Sequence, residues 1–182
     1  LVARIERESM RMSTLVEDLL MLARMDQGPK MEIKPVNISE LVSDAVESAS
    51  AAGPGHPIEL EAGNEIYALG DANRIHQVVA NLLANTRVHT PVGTRIKVSV
   101  SQSDSEVQVV VSDNGPGLSE MDREKIFERF YRVDPSRTRS SEEGSGLGLS
   151  IVDAVMRAHG GHVSVDSKLG EGATFTLHFP LN

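Results

Sequence analysis

Asn81 and Asn85 stand four residues apart in the stretch NLLANTRVHT, whose apolar partners are Ile75, Val78, Val79, Leu82 and Leu83. That spacing is helical, and positions i and i+4 share a face. Two amide side chains therefore project side by side from one edge of a packed helix. Amide oxygens suit a hard cation such as Mg²⁺, which keeps most of its other positions for water and phosphate. Two glycine-rich segments follow, DNGPGL at 113–118 and GSGLGL at 144–149. In such loops backbone N–H groups can come close to an anion. The combination reads as a magnesium-nucleotide site.

The second glycine segment opens a helix at Leu147, and a helix N-terminus presents free N–H groups and a positive dipole end to a phosphate. Two familiar alternatives fail. A dinucleotide fingerprint needs a preceding strand, and its third glycine would fall at Leu149. A P-loop needs Gly-Lys followed by Ser or Thr, a triplet the sequence lacks. Taken alone, Asp113-Asn-Gly-Pro-Gly reads rather as a tight turn after a strand, and only its companion motifs reverse that.

The series NLLxN…HT, DNGPGL, IFERFYR, GSGLGLSIV and GEGATF resembles the ATP-binding domain of bacterial sensor histidine kinases, which shares its nucleotide fold with gyrase, the mismatch-repair ATPase and a heat-shock chaperone. The resemblance implies ATP and Mg²⁺ as ligands, with Asn85 the main metal ligand and Asn81 beside it or one water away. It implies that Asp113 accepts a hydrogen bond from the adenine amino group, with Gly115 and Gly117 letting the backbone approach the base. Leu118, Tyr131, Gly144, Gly146, Leu147, Gly148 and Leu149 are expected along the nucleotide, and Thr174 is expected to back the adenine through a water. His89 and Arg132 match positions that face the phosphates, although His89 is also what an ordinary helix-end histidine looks like. Arg137 and Arg139, in SRTRSSEE, read as lid residues able to swing onto the γ-phosphate; solvated loop charge is their plain alternative. The family often has Lys where this chain has Val88, so phosphate neutralisation is expected to lean on Arg87, Arg132 or the lid.

Position 81 separates reaction types. Related ATPases carry a water-activating glutamate one turn before the metal asparagine, whereas Asn81 has no useful basicity. Phosphoryl transfer to an outside nucleophile is therefore expected over hydrolysis. In the family that nucleophile is a histidine in an H-E-x-x-x-P-like box, and no histidine of this chain has that context. A metal site from His159 and His162 lacks an accompanying carboxylate or Cys cluster. A superfamily ATPase, a serine kinase and a non-catalytic nucleotide-sensing module are the competing readings.

These residues need elements to hold them. Leu1–Asp26 has the pattern of a helix with a seven-residue apolar repeat at Ile5, Met12 and Leu19, interleaved by Leu15 and Leu22 and widened by Val16 and Leu20. It resembles the second helix of the kinase dimerisation hairpin; an ordinary amphipathic helix lying on its own domain is the alternative. Residues 27–35, with Gly28 and Pro29, read as a linker, and residues 36–182 as the ATP-binding domain. Met31–Val36 is a weak edge strand ended by Pro35, and Asn37 or Ser39 caps a helix through about Ser50. Pro57–Leu60 and Glu65–Leu69 are short strands around a turn at 63–64, and Asp71 caps the asparagine helix. Thr94–Ser101 with Glu106–Ser112, and His162–Ser167 with Ala173–Phe179, form hairpins. Between the hairpins the pattern gives a helical stretch over Arg123–Arg132, a mobile Val133–Glu143 and a helix over Leu147–Ala158. The expected fold is a two-layer α/β sandwich with a mixed, largely antiparallel sheet, helices on one face and an extra N-terminal helix.

Composition agrees. A length of 182 residues suits one domain with an appendage, and 40% hydrophobic content with only 3% aromatic leaves Val, Leu, Ile and Ala to fill the core. Cysteine is absent, as a reducing compartment allows, and the net charge of −8 argues against nucleic acid as a partner. No apolar run reaches bilayer-spanning length. The chain opens inside a helical pattern, so it is expected to be a cytoplasmic piece of a longer, membrane-inserted homodimeric sensor. The expected partners are its own phosphoacceptor hairpin and a response regulator.

Overall fold

The computed structural model describes residues 2–28, 30–63, 65–133 and 145–181. In chain order the elements are α1 (Val2–Asp26), β1 (Lys34–Asn37), α2 (Ile38–Ala52), β2 (Ile58–Ala62), β3 (Tyr67–Gly70), α3 (Ala72–His89), β4 (Ile96–Gln102), β5 (Glu106–Asp113), α4 (Glu120–Lys125), α5 (Gly148–Ala158), β6 (His162–Lys168) and β7 (Gly172–Pro180). Five strands form one sheet in the order β2-β4-β5-β7-β6. Only the β2–β4 pair is parallel.

Alternation decides which face is buried. Ile96, Val98 and Val100 of β4, Val107, Val109 and Val111 of β5, and Phe175, Leu177 and Phe179 of β7 all turn inward. Lys97, Ser101, Ser164 and Asp166 stay exposed. Helices α2, α3 and α5 cover the apolar face with Val42 and Val46, with Ile75, Val79 and Leu82, and with Ile151, Val152 and Met156. This is the expected two-layer sandwich with its helices on one side.

Several local expectations change. The runs expected around a turn at 63–64 do not pair with each other. Strand β2 runs parallel to β4, whereas β3 joins β1 in a separate two-stranded antiparallel sheet. The start of α2 causes the divergence: the Ile66 carbonyl accepts from the Ile38 N–H at 2.8 Å, and the Ile66 N–H donates to Ser39 Oγ at 3.3 Å. Pro35 lies within β1 rather than ending it, pairing with Leu69. An edge strand tolerates a residue without an N–H donor. Asn37, not Ser39, caps α2. The helix expected over Arg123–Arg132 instead begins at Glu120, with Ser119 as its cap, and ends at Lys125.

The apolar stripe of α1 divides between two environments. Met21 and Leu22 are buried, and Leu15 and Met25 pack partly against the core. Ile5, Met12, Val16 and Leu20 remain more than half exposed. Among the described residues no helix is long and apolar enough to cross a membrane.

His159, at the end of α5, joins two ends of the helical layer. Its Nε2 accepts from the Asp71 N–H at 3.0 Å, and its Nδ1 faces the Val155 carbonyl at 2.8 Å. A carbonyl only accepts, so the ring carries its proton on Nδ1. With both nitrogens engaged, His159 has none left for the metal site considered with His162. Replacing it orphans the N–H at the start of α3. His159→Ala should cost about 1–3 kcal/mol, read as a lower urea midpoint with an unchanged m-value; an unchanged midpoint would remove this role.

Candidate nucleotide-binding site

Helix α3 starts where Asp71 Oδ1 accepts from the Arg74 N–H at 3.2 Å. Its buried face runs through Ile75, Val78, Val79, Leu82, Leu83 and Thr86. Asn81 and Asn85 lie at the border of that face, both partly buried. Asn81 Nδ2 donates to the Gly148 carbonyl at 3.4 Å. The amide nitrogen thus faces α5, and the amide oxygen faces the other way, where a cation can use it. Arg87, two residues beyond Asn85, projects from the far side of the helix. Its stem lies across Gly53, where an added Cβ would strike Arg87 Cδ, so Arg87 drops out of the expected phosphate contacts. His89 ends α3 on an exposed position.

Asp113 ends β5. Its Oδ1 accepts the Gly115 N–H at 2.8 Å, which folds DNGPGL back on itself. Burial pushes its carboxyl above the usual range, partly opposed by the Gly115 and Ala173 N–H groups. The neighbouring Asn114 turns away from the site: its Oδ1 accepts the Arg95 N–H at 2.8 Å. Ser167 of β6 accepts the Leu118 N–H at 2.8 Å and donates to the Gly172 carbonyl at 2.6 Å, tying the loop to the β6–β7 turn. Thr90 braces the loop on its other side, within contact distance of a Cβ on Gly115. None of Asn114, Ser167 and Thr90 belongs to the expected ligand set; Asn114 and Thr90 stand inside the motifs DNGPGL and NLLANTRVHT, whereas nothing in the sequence marks Ser167.

Two expected contacts change here. The register sets Ala173 opposite Asp113 and Thr174 opposite Ser112. Successive strand residues point to opposite faces, so Thr174 lies across the sheet from the Asp113 side, and Ala173 holds the place assigned to it. Gly117 has φ +68°, and a Cβ there would strike the Lys168 carbonyl oxygen. Its lack of a side chain is thus demanded by the end of β6 whether or not a base approaches.

The phosphate end is built from the turn after α4 and the start of α5. Phe130 adopts φ 64°, uncommon for a residue with a side chain. Its N–H donates to the Gly146 carbonyl at 2.9 Å. Gly146, at φ +73°, sits so close to the Phe130 backbone that a Cβ would press on it. Tyr131 gives its hydroxyl to Asp122 at 2.8 Å, so that group points at α4 and not at a ligand. One guanidinium nitrogen of Arg129, Nη2, donates to both carboxylate oxygens of Asp26 of α1, each at 2.8 Å. Ser145 reaches Asp18 of α1 at 3.5 Å, and burial raises the Asp18 carboxyl, partly offset by that contact. The motif Ser119-x-x-Asp122 is a helix-start signature that would have placed α4 correctly.

Helices α2, α3 and α4 are capped by the side chains of Asn37, Asp71 and Ser119. The N-cap of helix α5 is Leu147, which offers no capping side chain, although its own N–H donates to Ser145 Oγ at 3.3 Å. Gly148 opens the helix, and a Cβ on Gly148 would meet nothing within 4 Å. Among the described residues, then, no side chain caps the first N–H groups of α5, and Gly148 adds none beside them. Leu147 and Leu149 are buried and anchor that end; Arg132, which follows Tyr131, is half-buried. Arg137, Arg139, Gly144 and the expected mobile lid after Val133 lie outside the described residues.

Sandwich, amide pair and uncapped helix define a nucleotide-binding α/β domain. The chain belongs to the family of histidine kinase-, DNA gyrase B-, and HSP90-like ATPases, whose profile matches residues 70–182. It is 45% identical over its whole length to "Probable sensor histidine kinase TcrY" of Mycobacterium tuberculosis, spanning 38% of that protein. It is 35% identical over 97% of its length to the sensor histidine kinase RppB of Synechocystis, spanning 40% of it. Among solved structures, mycobacterial sensor histidine kinase MprB is 30% identical and superposes at TM-score 0.72, covering 81% of this chain and 97% of its own. Full-length ShkA, in complex with AMPPNP, is 31% identical at TM-score 0.79, covering 92% of this chain and 35% of ShkA.

The glycines yield a paired expectation. Gly117→Ala should lower stability by about 2 kcal/mol or more, combining a left-handed backbone with a carbonyl clash. Gly148→Ala should be neutral or stabilise by up to about 1 kcal/mol, since glycine is a poor helix residue. Thermal unfolding of the two variants tests this, and equal losses would contradict it.

Proposed function

We infer that the chain is the catalytic part of a two-component sensor histidine kinase, with residues 36–182 binding Mg-ATP, 27–35 a linker and 1–26 the second helix of a dimerisation hairpin. In the full-length protein a histidine nitrogen of the hairpin's other helix attacks the γ-phosphorus. The bond to the β–γ bridging oxygen breaks and ADP leaves. An aspartate of a response regulator then takes the phosphoryl group. The full-length protein is a homodimeric sensor inserted in the cell membrane, with this part in the cytoplasm. The observation that carries the reading is the Asn81–Gly148 contact at 3.4 Å, which brings the amide pair of α3 against the uncapped end of α5.

Among the described residues no three His, Asp or Glu side chains converge on a common point. A cation would then be held by the Asn85 and Asn81 oxygens together with the nucleotide's own phosphates, a donor set that fits Mg²⁺. Bound there, the metal would neutralise charge on the phosphate oxygens. The first N–H groups of α5 and the Arg132 guanidinium take the phosphates; Asp113 takes the adenine amino group. An amide at position 81 cannot draw a proton from water, which favours transfer over hydrolysis.

Asp113 gives two readouts. Its Oδ1 is occupied by Gly115 N–H, so in Asp113→Asn the remaining atom is a donor facing the adenine donor. That variant should weaken ATP binding at least about tenfold, a loss of one buried hydrogen bond plus a mismatch. Its melting temperature should stay level or rise, because the buried carboxylate is relieved. In the wild type, the raised carboxyl protonates at higher pH than an ordinary aspartate and then loses its acceptor. ATP affinity should therefore fall on acidification before the fold does; affinity flat to the unfolding pH would remove Asp113 from the site.

The whole reading is tested with radiolabelled Mg-ATP, this chain and a separately supplied hairpin bearing a phosphoacceptor histidine. Acid-labile, base-stable label in the hairpin is the expected result. Tight ATP binding without transfer to any hairpin would turn the reading to a nucleotide-sensing module.

A further inference from the structure

We propose that Asp122 is a positioning residue for the phosphate end of the site, acting through Tyr131 to fix the place of Arg132. The inference rests on the nucleotide reading above. Both oxygens of Asp122 are spoken for. Oδ2 accepts the Ser119 hydroxyl at 2.5 Å, and Oδ1 accepts the Tyr131 hydroxyl at 2.8 Å. Ser119 Oγ in turn accepts the Asp122 N–H at 3.1 Å, so the carboxylate is locked into the first turn of α4. Ser119 first, and Tyr131 after it, hold the Asp122 carboxyl below its usual range, while Asp122 raises the Tyr131 phenol. A charged acceptor makes the stronger kind of hydrogen bond.

The consequence lies in the three residues before Arg132. Arg129 is held by Asp26, Phe130 by the Gly146 carbonyl and Tyr131 by Asp122. The Phe130 bond fixes the turn against the residue two before Gly148, where α5 begins. Phe130 itself sits at φ 64°, a conformation that relaxes unless its neighbours hold it. The tyrosine anchor is the last fixed point before Arg132. With it in place, Arg132 follows a turn whose backbone is already ordered when a ligand arrives; without it, Arg132 departs from a looser turn and more ordering is left to binding. Among the described residues the adenine end, built on β5, β7 and the 114–118 loop, shares no hydrogen bond with the Asp122 carboxylate or the Tyr131 hydroxyl, although the loop runs directly into Ser119.

That separation supplies the test. Affinities for ATP, ADP and adenosine would be measured by calorimetry in the wild type, Tyr131→Phe, Asp122→Ala, Asp122→Asn and the Tyr131→Phe/Asp122→Ala double variant. The preference for ATP over adenosine should fall about fivefold to tenfold in Tyr131→Phe and in Asp122→Ala, as expected for one charge-assisted hydrogen bond. Adenosine affinity should stay within about twofold. The double variant should be no worse than the singles, because the two side chains act as one unit. Asp122→Asn keeps an acceptor for Tyr131 and should retain most of the preference. An unchanged preference in Tyr131→Phe, or an equal loss for all three ligands, would overturn the positioning role even if melting temperature drops. A wild type that binds none of the three would instead sink the nucleotide reading itself.

Discussion

The site depends on two helices lying side by side on one face of a sheet. Helices α3 and α5 have no reason to be neighbours in sequence. They meet because Val78, Val79, Leu82 and Leu83 on one, and Ile151, Val152, Val155 and Met156 on the other, share the apolar face of β4, β5 and β7. Each such side chain contributes about 1.5–3 kcal/mol on burial. That packing brings an amide pair and an uncapped helix end to within hydrogen-bonding distance, and the chemistry follows from the approach. The polar groups do not hold the helices together; the aliphatic rows beneath them do.

Much of this was legible in the sequence because it is written in local patterns. The spacing of Asn81 and Asn85, the alternation in β4 and β5, and the cap at Asp71 all survive into the structure. What failed was of another kind. The runs now seen as β2 and β3 look like a hairpin because adjacency is the only evidence a sequence offers, whereas their real partners, β4 and β1, are set by how the α2 N-terminus captures Ile66. Thr174 and Ala173 are one residue apart, and only the register with β5 tells which of them faces inward. Arg87 looked available until Gly53 was seen beneath it. The shared stripe on α1 could not be split by period alone, since packing Leu22 and exposing Met12 serve the same repeat.

A glycine motif also turns out to be several requirements written in one letter. Gly117 is bare because a carbonyl at the end of β6 occupies the space, and Gly146 because its backbone is left-handed against Phe130. Gly148 alone among these has nothing beside it. Read as a string, GSGLGL and DNGPGL suggest a uniform cradle. Read atom by atom, most of their glycines serve the fold, and one leaves a space that the fold does not fill.

The bond from Phe130 to the Gly146 carbonyl has one more effect. It joins the stretch after α4 to the residue two before Gly148, across sixteen positions of sequence. A shift of α4 is thereby passed to the first turn of α5 through one backbone bond, without travelling through the sheet. The two walls of the phosphate end therefore move as one body, while the strands beneath them keep their register.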